Sequence, residues 1–190
     1  MKKYELTNET KTLADGTVLH RIRALRDIPR HGVKAGDLGG LIEKENNLSQ
    51  DGDAWIFDDA CVYGDACIFG DARIFGNACV SDDARVSGDA CIFGDACVYG
   101  DAYISGDAKV SASSDYMVIK NTWSSLRWFT YTRSNKKWAV GCFYGTGEEL
   151  IKKAYADSEL SGRCYEAIVR AVETIEAAKA EAKGESNGSK

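Results

Sequence analysis

Residues 52–111 read GDAWIF DDACVY GDACIF GDARIF GNACVS DDARVS GDACIF GDACVY GDAYIS GDAKVS, which is one six-residue unit written ten times. Alanine fills the third place of every unit, and isoleucine or valine fills the fifth. The second place is Asp except at Asn77, and the first is Gly except at Asp58 and Asp82. An unbroken repeat of this kind decides the architecture before any single helix or strand is considered.

The unit itself predicts a short strand followed by a corner. The alanine and the branched residue are two places apart, so both point to the same side of a strand while their neighbours point to the other. Gly-Asp is a turn dipeptide, because Gly tolerates positive φ and Asp can accept hydrogen bonds from nearby amides. A strand and a corner every six residues describe a chain that winds round a prism.

These units resemble the hexapeptide-repeat proteins, and residues 51–112 are the part that carries the resemblance. The resemblance implies a left-handed parallel β-helix with three units, or 18 residues, in each coil. The handedness rests on the resemblance alone, since the general rule for parallel crossovers favours the right-handed form. The predicted fold class is therefore mainly β.

A coil of 18 residues stacks residues 18 apart on neighbouring rungs, about 4.8 Å from each other, and so defines three outward walls. The first wall carries Trp55, Phe57, Arg73, Phe75, Cys91, Phe93, Lys109 and Ser111. The second wall carries Cys61, Tyr63, Cys79, Ser81, Cys97 and Tyr99. The third wall carries Cys67, Phe69, Arg85, Ser87, Tyr103 and Ser105.

Aromatic rings and thiols on outward walls indicate an interface, because a monomer would expose them to water. The family commonly forms trimers along such walls, so the expected assembly is a homotrimer. The alternative is that a terminal segment folds back and covers one wall. The interface candidates are Trp55, Phe57, Phe75, Phe93, Cys61, Cys79, Cys97, Tyr63 and Tyr99.

The column Cys61, Cys79 and Cys97 invites a metal interpretation, which the geometry disfavours. Zinc prefers four ligands in a tetrahedron, whereas three thiols in a row lie on one face. A free cysteine also packs as a small hydrophobe, so interface packing is favoured and redox sensing is the remaining alternative. No metal site and no cofactor are predicted.

The flanking segments predict two caps. In residues 1–50, strands at 4–7 and 17–25 enclose the hairpin turn Ala14-Asp15-Gly16, and residues 36–42 form an irregular lead-in to the coils. Residues 113–183 predict a small α+β domain, and residues 184–190 a disordered tail. Its strands are expected at Tyr116–Lys120, Leu126–Thr132 and Trp138–Phe143, and its helices from the capping box Thr146–Glu149 through Ala156 and from Ser161.

Two groups of residues outside the repeat are candidates for ligand binding. Arginine forks suit phosphate or carboxylate, and tryptophans can stack a flat ligand. The candidates are Arg21, Arg23, Arg26, Trp123, Trp128 and Trp138. The alternatives are a strand face whose arginines pair with Glu5, Glu9 and Asp27, and tryptophans that belong to the core.

Charge and composition exclude several classes of partner. The chain has a net charge of −5, and 12 Asp against three basic residues fall within residues 51–112. Duplex DNA and anionic membranes both need a positive surface, so neither is expected to bind the coils. The N-terminus lacks the apolar stretch of a secretory signal, and no apolar run is long enough to span a bilayer, so the expected location is the bacterial cytoplasm.

The order of segments is similar to that of accessory proteins of bacteriophages and prophages: a basic hairpin, the stretch Lys34 to Gly40 (KAGDLGG), Gly-Asp-Ala units and an α+β end. This predicts a non-enzymatic binding protein that antagonises host defence by capturing a host protein or a nucleotide signal. One alternative is an acyltransferase, but enzymes of this fold use a histidine base and an inserted loop, and residues 52–111 contain no His. The other alternative is a structural scaffold associated with the virion.

Overall fold

The N-terminal residues form a hairpin followed by a third strand. In a computed structural model, which describes residues 2–123 and 126–187, strands β1 (Tyr4–Thr12) and β2 (Val18–Ala24) pair antiparallel around the predicted turn at Gly16. β1 extends beyond the predicted residues 4–7 because its second half is an exposed edge, which polar residues can form without being buried. Strand β3 (Leu38–Ile42) pairs antiparallel with β2, so the lead-in predicted as irregular is a regular strand.

Ten two-residue strands follow β3 at intervals of six residues and confirm the predicted parallel β-helix. They are β4 (Trp55–Ile56), β5 (Cys61–Val62), β6 (Cys67–Ile68), β7 (Arg73–Ile74), β8 (Cys79–Val80), β9 (Arg85–Val86), β10 (Cys91–Ile92), β11 (Cys97–Val98), β12 (Tyr103–Ile104) and β13 (Lys109–Val110). The first wall stacks in the order β4-β7-β10-β13, the second in the order β3-β5-β8-β11, and the third in the order β6-β9-β12. Cys61 lies opposite Cys79, and Cys79 opposite Cys97, which confirms a coil of 18 residues.

The interior of the coils is filled by the alanine and the branched residue of every unit. Each of these side chains, from Ala54 to Val110, is at most 1% exposed. Burying an isoleucine or valine contributes about 1.5–3 kcal/mol relative to leaving it exposed. The repeated Ala-x-Ile/Val pattern is therefore the main source of stability in this part of the chain.

The corners use left-handed backbone, which explains both the glycines and the two exceptions to them. The glycine corners have positive φ, such as +66° at Gly88, and Asp58 and Asp82 adopt the same conformation with φ of 52° and 58°. The carboxylate of Asp58 accepts a hydrogen bond of 3.0 Å from the backbone N–H of Gly76, one coil later. Asp82 accepts an equivalent bond of 3.0 Å from Gly100. Each aspartate thereby offsets the conformational strain that a glycine would avoid.

The acids in the second place of each unit stack into columns at the corners, where like charges one rung apart repel. The N-terminal segment supplies cations that pair with five of these nine aspartates. The ion pairs are Arg26–Asp53, Arg30–Asp71, Arg30–Asp89, Arg21–Asp59 and Lys44–Asp65. Asn77, the exception in the second place, lies between Asp59 and Asp95 in its column and donates a hydrogen bond of 3.0 Å to Asp95.

Two glycines allow β3 to lie against the first coil. A Cβ at Gly40 would lie 2.3 Å from Cγ2 of Ile56 and 2.7 Å from the carbonyl oxygen of Ala60. A Cβ at Gly39 would lie 2.7 Å from Cγ1 of Ile22. Residues with side chains cannot occupy these positions, so the Gly-Gly pair fixes where the hairpin joins the solenoid.

Polar side chains satisfy the backbone groups left open at the N-terminal end of the coils. The buried ammonium of Lys3 donates to the carbonyl oxygen of Ala54 at 2.9 Å. The buried side-chain amide of Asn47 donates to the carbonyl oxygens of Gly64 (3.0 Å) and Ala66 (2.8 Å). This end of the β-helix therefore has no exposed sheet edge at those positions.

The opposite end is covered by a sheet in the order β14 (Tyr116–Lys120), β15 (Trp128–Thr132), β16 (Lys137–Val140) and β17 (Phe143–Gly145). The strand predicted at 138–143 is divided into β16 and β17 because Gly141 turns the chain with φ of +58°. Side chains of this region accept hydrogen bonds from the N–H groups of the last coil. Thr130 accepts from Tyr103 at 2.9 Å, and Ser134 accepts from Lys109 at 2.7 Å.

The chain divides into two compact units, one that ends at Tyr144 and one that begins at Gly145. The second unit contains two helices. The predicted capping box forms between Thr146 and Glu149 and opens α1 (Gly147–Asp157). Helix α2 (Glu159–Asn187) begins near the predicted Ser161 and runs through residues 184–187, while 188–190, the rest of the predicted disordered tail, lie outside the described residues. Neither helix has an apolar stretch that could cross a membrane, as judged over the described residues.

A corner glycine is needed either for its positive φ or for the close contact between rungs, and a comparison of Gly88 with Gly100 separates these two reasons. Both have φ of +66°, but a Cβ at Gly88 would lie 2.8 Å from the backbone nitrogen of Gly106, whereas a Cβ at Gly100 has open space within 4 Å. We expect Gly100→Ala to lower the free energy of unfolding by about 1 kcal/mol through φ alone. Gly88→Ala adds a clash between rungs, so the loss rises to about 3 kcal/mol. Urea unfolding measures both, and equal losses would show that contact between coils does not matter.

Lys3 makes the free energy of unfolding depend on pH, and its burial determines the direction of the change. Burial, followed by the charge of Arg26, lowers the pKa of Lys3 from 10.5 to about 8. Between these values the unfolded chain binds more protons than the folded one, so the free energy of unfolding rises with pH. From about pH 7 to about pH 9 this contribution amounts to about 1 kcal/mol. The difference between wild type and Lys3→Met, measured by urea unfolding at both pH values, should contain this rise. A constant difference would mean that Lys3 is charged in the folded protein.

Candidate functional site

Arg21, a ligand candidate from the sequence, joins the hairpin to the first coil. Its side chain is 17% exposed and pairs with Glu9 at 2.5 Å and with Asp59 at 3.0 Å. It also donates to the carbonyl oxygens of Gly39 and Asp58, both at 2.9 Å. The guanidinium of Arg21 is therefore occupied by groups of its own chain.

Arg23 and Arg26, the other two candidates on this segment, also contact groups of the chain itself. Arg23 lies 3.5 Å from Glu5, and Arg26 donates to the carbonyl oxygen of Gly52 at 3.0 Å. Arg26 also lies 3.7 Å from Asp53. The pairing follows the alternative expected for this face, in which the arginines support the strand.

The three tryptophan candidates do not form one stacking site. Trp138 is buried and packs edge-on against Phe129, with ring centroids 6.4 Å apart, and Trp123 lies 6.2 Å from the same ring. Trp128 is half-buried, and the ammonium of Lys120 lies 4.9 Å from its ring centroid. Trp128 lines a shallow pocket of 260 Å³ beside the third wall, together with Arg85, Tyr103 and Arg127.

The second wall is a neutral strip of thiols and tyrosines. Cys61 is buried, Cys79 is half-buried and Cys97 is exposed. Burial raises the pKa of the Cys61 and Cys79 thiols, which keeps them protonated and weakly nucleophilic. Within residues 2–123 and 126–187, no three His, Cys, Asp or Glu side chains lie close enough to hold a metal ion. Tyr99 is 54% exposed, so the end of this wall presents a large ring to solvent.

The first wall differs from the sequence expectation at its lowest rung. Trp55 is fully buried, because Tyr4 packs edge-on against it at a centroid distance of 6.4 Å and β3 lies over it. Trp55 is thus a core residue of the N-terminal cap, as expected if a terminal segment covers part of a wall. Phe57 on the same rung, and Phe75 and Phe93 on the next two rungs, remain half-buried.

The phenylalanines of the first wall form a ladder flanked by cations. The rings of Phe75 and Phe93 stack with centroids 5.3 Å apart and an interplanar angle of 14°. Arg73 and Lys109 are exposed on the same wall. Among the described residues, Arg73 forms no ion pair, which distinguishes it from the arginines of the N-terminal segment.

A pocket of 320 Å³ opens beside this ladder, and the N-terminal segment forms its other side. It is lined by Arg30, His31, Phe57, Asp58, Arg73 and Phe75. Arg30 and His31 end a short 3-10 helix (Pro29–His31), which starts with the one proline of the chain and stops at Gly32 with φ of +72°. The bridge between Ile28 and Val33 closes this turn and holds both side chains against the wall.

Arg30 and His31 are not among the ligand candidates chosen from the sequence. The wall register predicts that Arg73 lies opposite Trp55 and on the same rung as Phe75, and this is where the structure places it. The missing information was the path of residues 25–35, because nothing in the repeat specifies where a non-repeating turn lands. The proline before Arg30 was the available signal, since it fixes φ and favours a rigid turn.

A comparison with family models supports the fold. A model of the YdcK beta-solenoid repeat matches residues 72–88, roughly one coil. This match and the stacked parallel strands support a β-helix repeat in this region. Among curated proteins, none matches this chain.

Proposed function

We propose that this protein is a non-catalytic binding protein of the accessory type carried by bacteriophages, with left-handed coils as in the hexapeptide-repeat proteins. It acts in the cytoplasm of the bacterial host and antagonises host defence by capturing a host protein or a nucleotide signal. The family resemblance of the Gly-Asp-Ala units and of the order of segments supports this setting. A stacking scaffold is less well supported, because side chains of the chain itself cover both ends of the coils.

The observation that carries the proposal is the first wall. Half-buried Phe75 and Phe93 form a rigid aromatic surface, and exposed Arg73 and Lys109 place positive charge on it. Aromatic residues and arginine are the side chains that contribute most to binding interfaces. The surrounding coils are strongly acidic, so this wall offers a localised site that differs from the rest of the surface.

The second wall is the better candidate for the homotrimer contact. Its lowest rung is closed, because Cys61, an interface candidate from the sequence, is buried against Leu19 and Leu41 with the ammonium of Lys11 4.0 Å from its sulfur. The outward residues Tyr63, Cys79, Cys97 and Tyr99 carry no charge, so copies can approach along the remaining rungs without repulsion. On the first wall, Arg73 and Lys109 of neighbouring copies would repel each other. The neutral wall can therefore assemble the protein while the first wall stays available for the captured molecule.

The trimer is tested by light scattering at micromolar concentration. Wild type should show three times the 20.7 kDa of one chain. Tyr99→Arg places a charge in the contact and should yield monomers. Leu160→Arg is the control, because Leu160 is 64% exposed and lies in α2, outside the coils. A monomeric wild type, or a Tyr99→Arg protein that stays trimeric, contradicts the second-wall contact.

Capture by the first wall is tested by native mass spectrometry of the protein purified from infected host cells. Wild type should carry a reproducible extra mass, either a small molecule or a protein. Phe75→Ser and Phe93→Ser should lose it, whereas Phe69→Ser should retain it. Phe69 is a matched control, because it is half-buried at the same place of a unit on the third wall. Wild type without any bound species, or equal loss in all three variants, would refute capture by this wall.

A further inference from the structure

The pocket beside the first wall combines a flat apolar floor with cationic and polar groups. Phe57 and Phe75 supply the floor, and Arg73 extends from β7 on the same rung as Phe75. Arg73 is exposed and forms no ion pair with any described residue, although acids occupy every corner around it. Its guanidinium therefore has donors available for an anion that enters the pocket.

His31 adds a second polar group. Its Nε2 is buried and has no hydrogen-bond partner among the described residues. An edge-on contact with Phe57, at a centroid distance of 6.4 Å, holds the ring against the wall. Because Nε2 has no surface in the pocket, the imidazole acts on a bound anion through the charge it carries when protonated, and not through a direct hydrogen bond.

The carboxylates near the pocket are already engaged. Asp58 accepts from the backbone N–H of Gly76 at 3.0 Å. Asp71 and Asp89 both contact Arg30. Asp58 forms no ion pair with a described residue and keeps its negative charge, whereas Asp71 and Asp89 are balanced by Arg30, so the charge of Arg73 is what favours an entering anion.

We propose that this pocket binds a nucleotide, with the phosphate held by Arg73 close to His31 and the base stacked against the rings of Phe57 and Phe75. The inference rests on the proposed function and specifies the captured molecule. A guanidinium is suited to a phosphate, and a phenylalanine ring can stack any base. The volume of 320 Å³ lies at the lower end of small-molecule sites, which suits one mononucleotide unit and not a protein segment.

Binding should be linked to proton uptake by His31. Burial, then the charges of Arg73 and Arg30, lower the pKa of His31 below its usual value. The charge of Asp53 and the polar backbone of Asp71 raise this pKa and so act in the opposite direction. A bound phosphate adds negative charge beside the ring and raises its pKa, so the complex takes up a proton. The phosphate itself would release a proton beside Arg73, so net uptake identifies the histidine.

The test is isothermal titration calorimetry of the full chain with AMP, adenosine and inorganic phosphate. AMP should bind, while adenosine and phosphate should each bind at least about tenfold more weakly, because each lacks one of the two recognised parts. Measurement in two buffers with different ionisation enthalpies should show proton uptake near pH 7, and affinity should rise as the pH falls from about 8 to about 6.5. Phosphate as strong as AMP would reduce the site to a simple anion site and overturn the inference.

Single substitutions test the roles of Arg73 and His31 in AMP binding. Arg73→Gln should weaken AMP binding by about tenfold or more, the effect of losing a charge-assisted hydrogen bond. Arg85→Gln is the matched control, since Arg85 is exposed at the same place of a unit on the third wall and should bind as wild type does. His31→Gln should abolish proton uptake. Unchanged binding in Arg73→Gln, or uptake that persists in His31→Gln, would contradict the assignment.

The outcomes also separate this inference from the proposed function. If AMP and the other common mononucleotides give no heat, the nucleotide site is refuted. The binding function then survives only if the protein from host cells carries a protein whose mass is lost in Phe93→Ser. If neither a nucleotide nor a protein binds the first wall, both proposals fail.

Discussion

The structure depends on backbone hydrogen bonds that join each rung to the next coil. The backbone N–H of Cys61 donates to the carbonyl oxygen of Ala78 at 2.9 Å. The backbone N–H of Arg73 donates to the carbonyl oxygen of Ala90 at the same distance. Buried peptide groups must be paired, so after 18 residues every coil has to bring the chain back above its starting point, one rung further along the axis. A single inserted residue would turn inward side chains outward along all later rungs. The constant unit length and the left-handed corners both follow from this requirement.

The same register that aligns the backbone also places identical side chains on top of each other, with opposite consequences for rings and charges. Phe75 and Phe93 gain contact by stacking at 5.3 Å. Aspartates in the same arrangement repel each other. Cations from the first 50 residues reduce this repulsion, such as Arg30, which forms ion pairs with both Asp71 and Asp89. The surplus of basic residues in that segment and the excess of acids in the coils are two parts of one electrostatic arrangement. The cap is therefore attached by charge as well as by the core around Tyr4 and Trp55.

The sequence predicted most of what the repeat controls, and little of what lies outside it. Walls, interior residues and the 18-residue coil follow from periodicity, because each unit repeats the same local physics. The burial of Trp55 did not follow, since it depends on β3 crossing the first coil at Gly39 and Gly40, a long-range contact with no period. The division of 138–143 into two strands likewise depends on one left-handed residue, Gly141. Arginines on the hairpin looked available for ligands because their acidic partners are distant in sequence, as Asp59 is from Arg21.

The first wall combines residues placed by the repeat with residues placed by a non-repeating segment. Periodicity alone places Arg73 beside the phenylalanines, and the non-periodic turn after Pro29 brings His31 to the same place. Arg21, Arg26, Arg30 and Lys44 neutralise corner acids, so their charge is balanced locally. Arg73 comes from the repeat itself, lies outside those columns and has no ion pair among the described side chains. In a protein whose coils are strongly acidic, a cation without an ion pair beside aromatic side chains favours the binding of an anion, and this is why the pocket is a better ligand site than the hairpin.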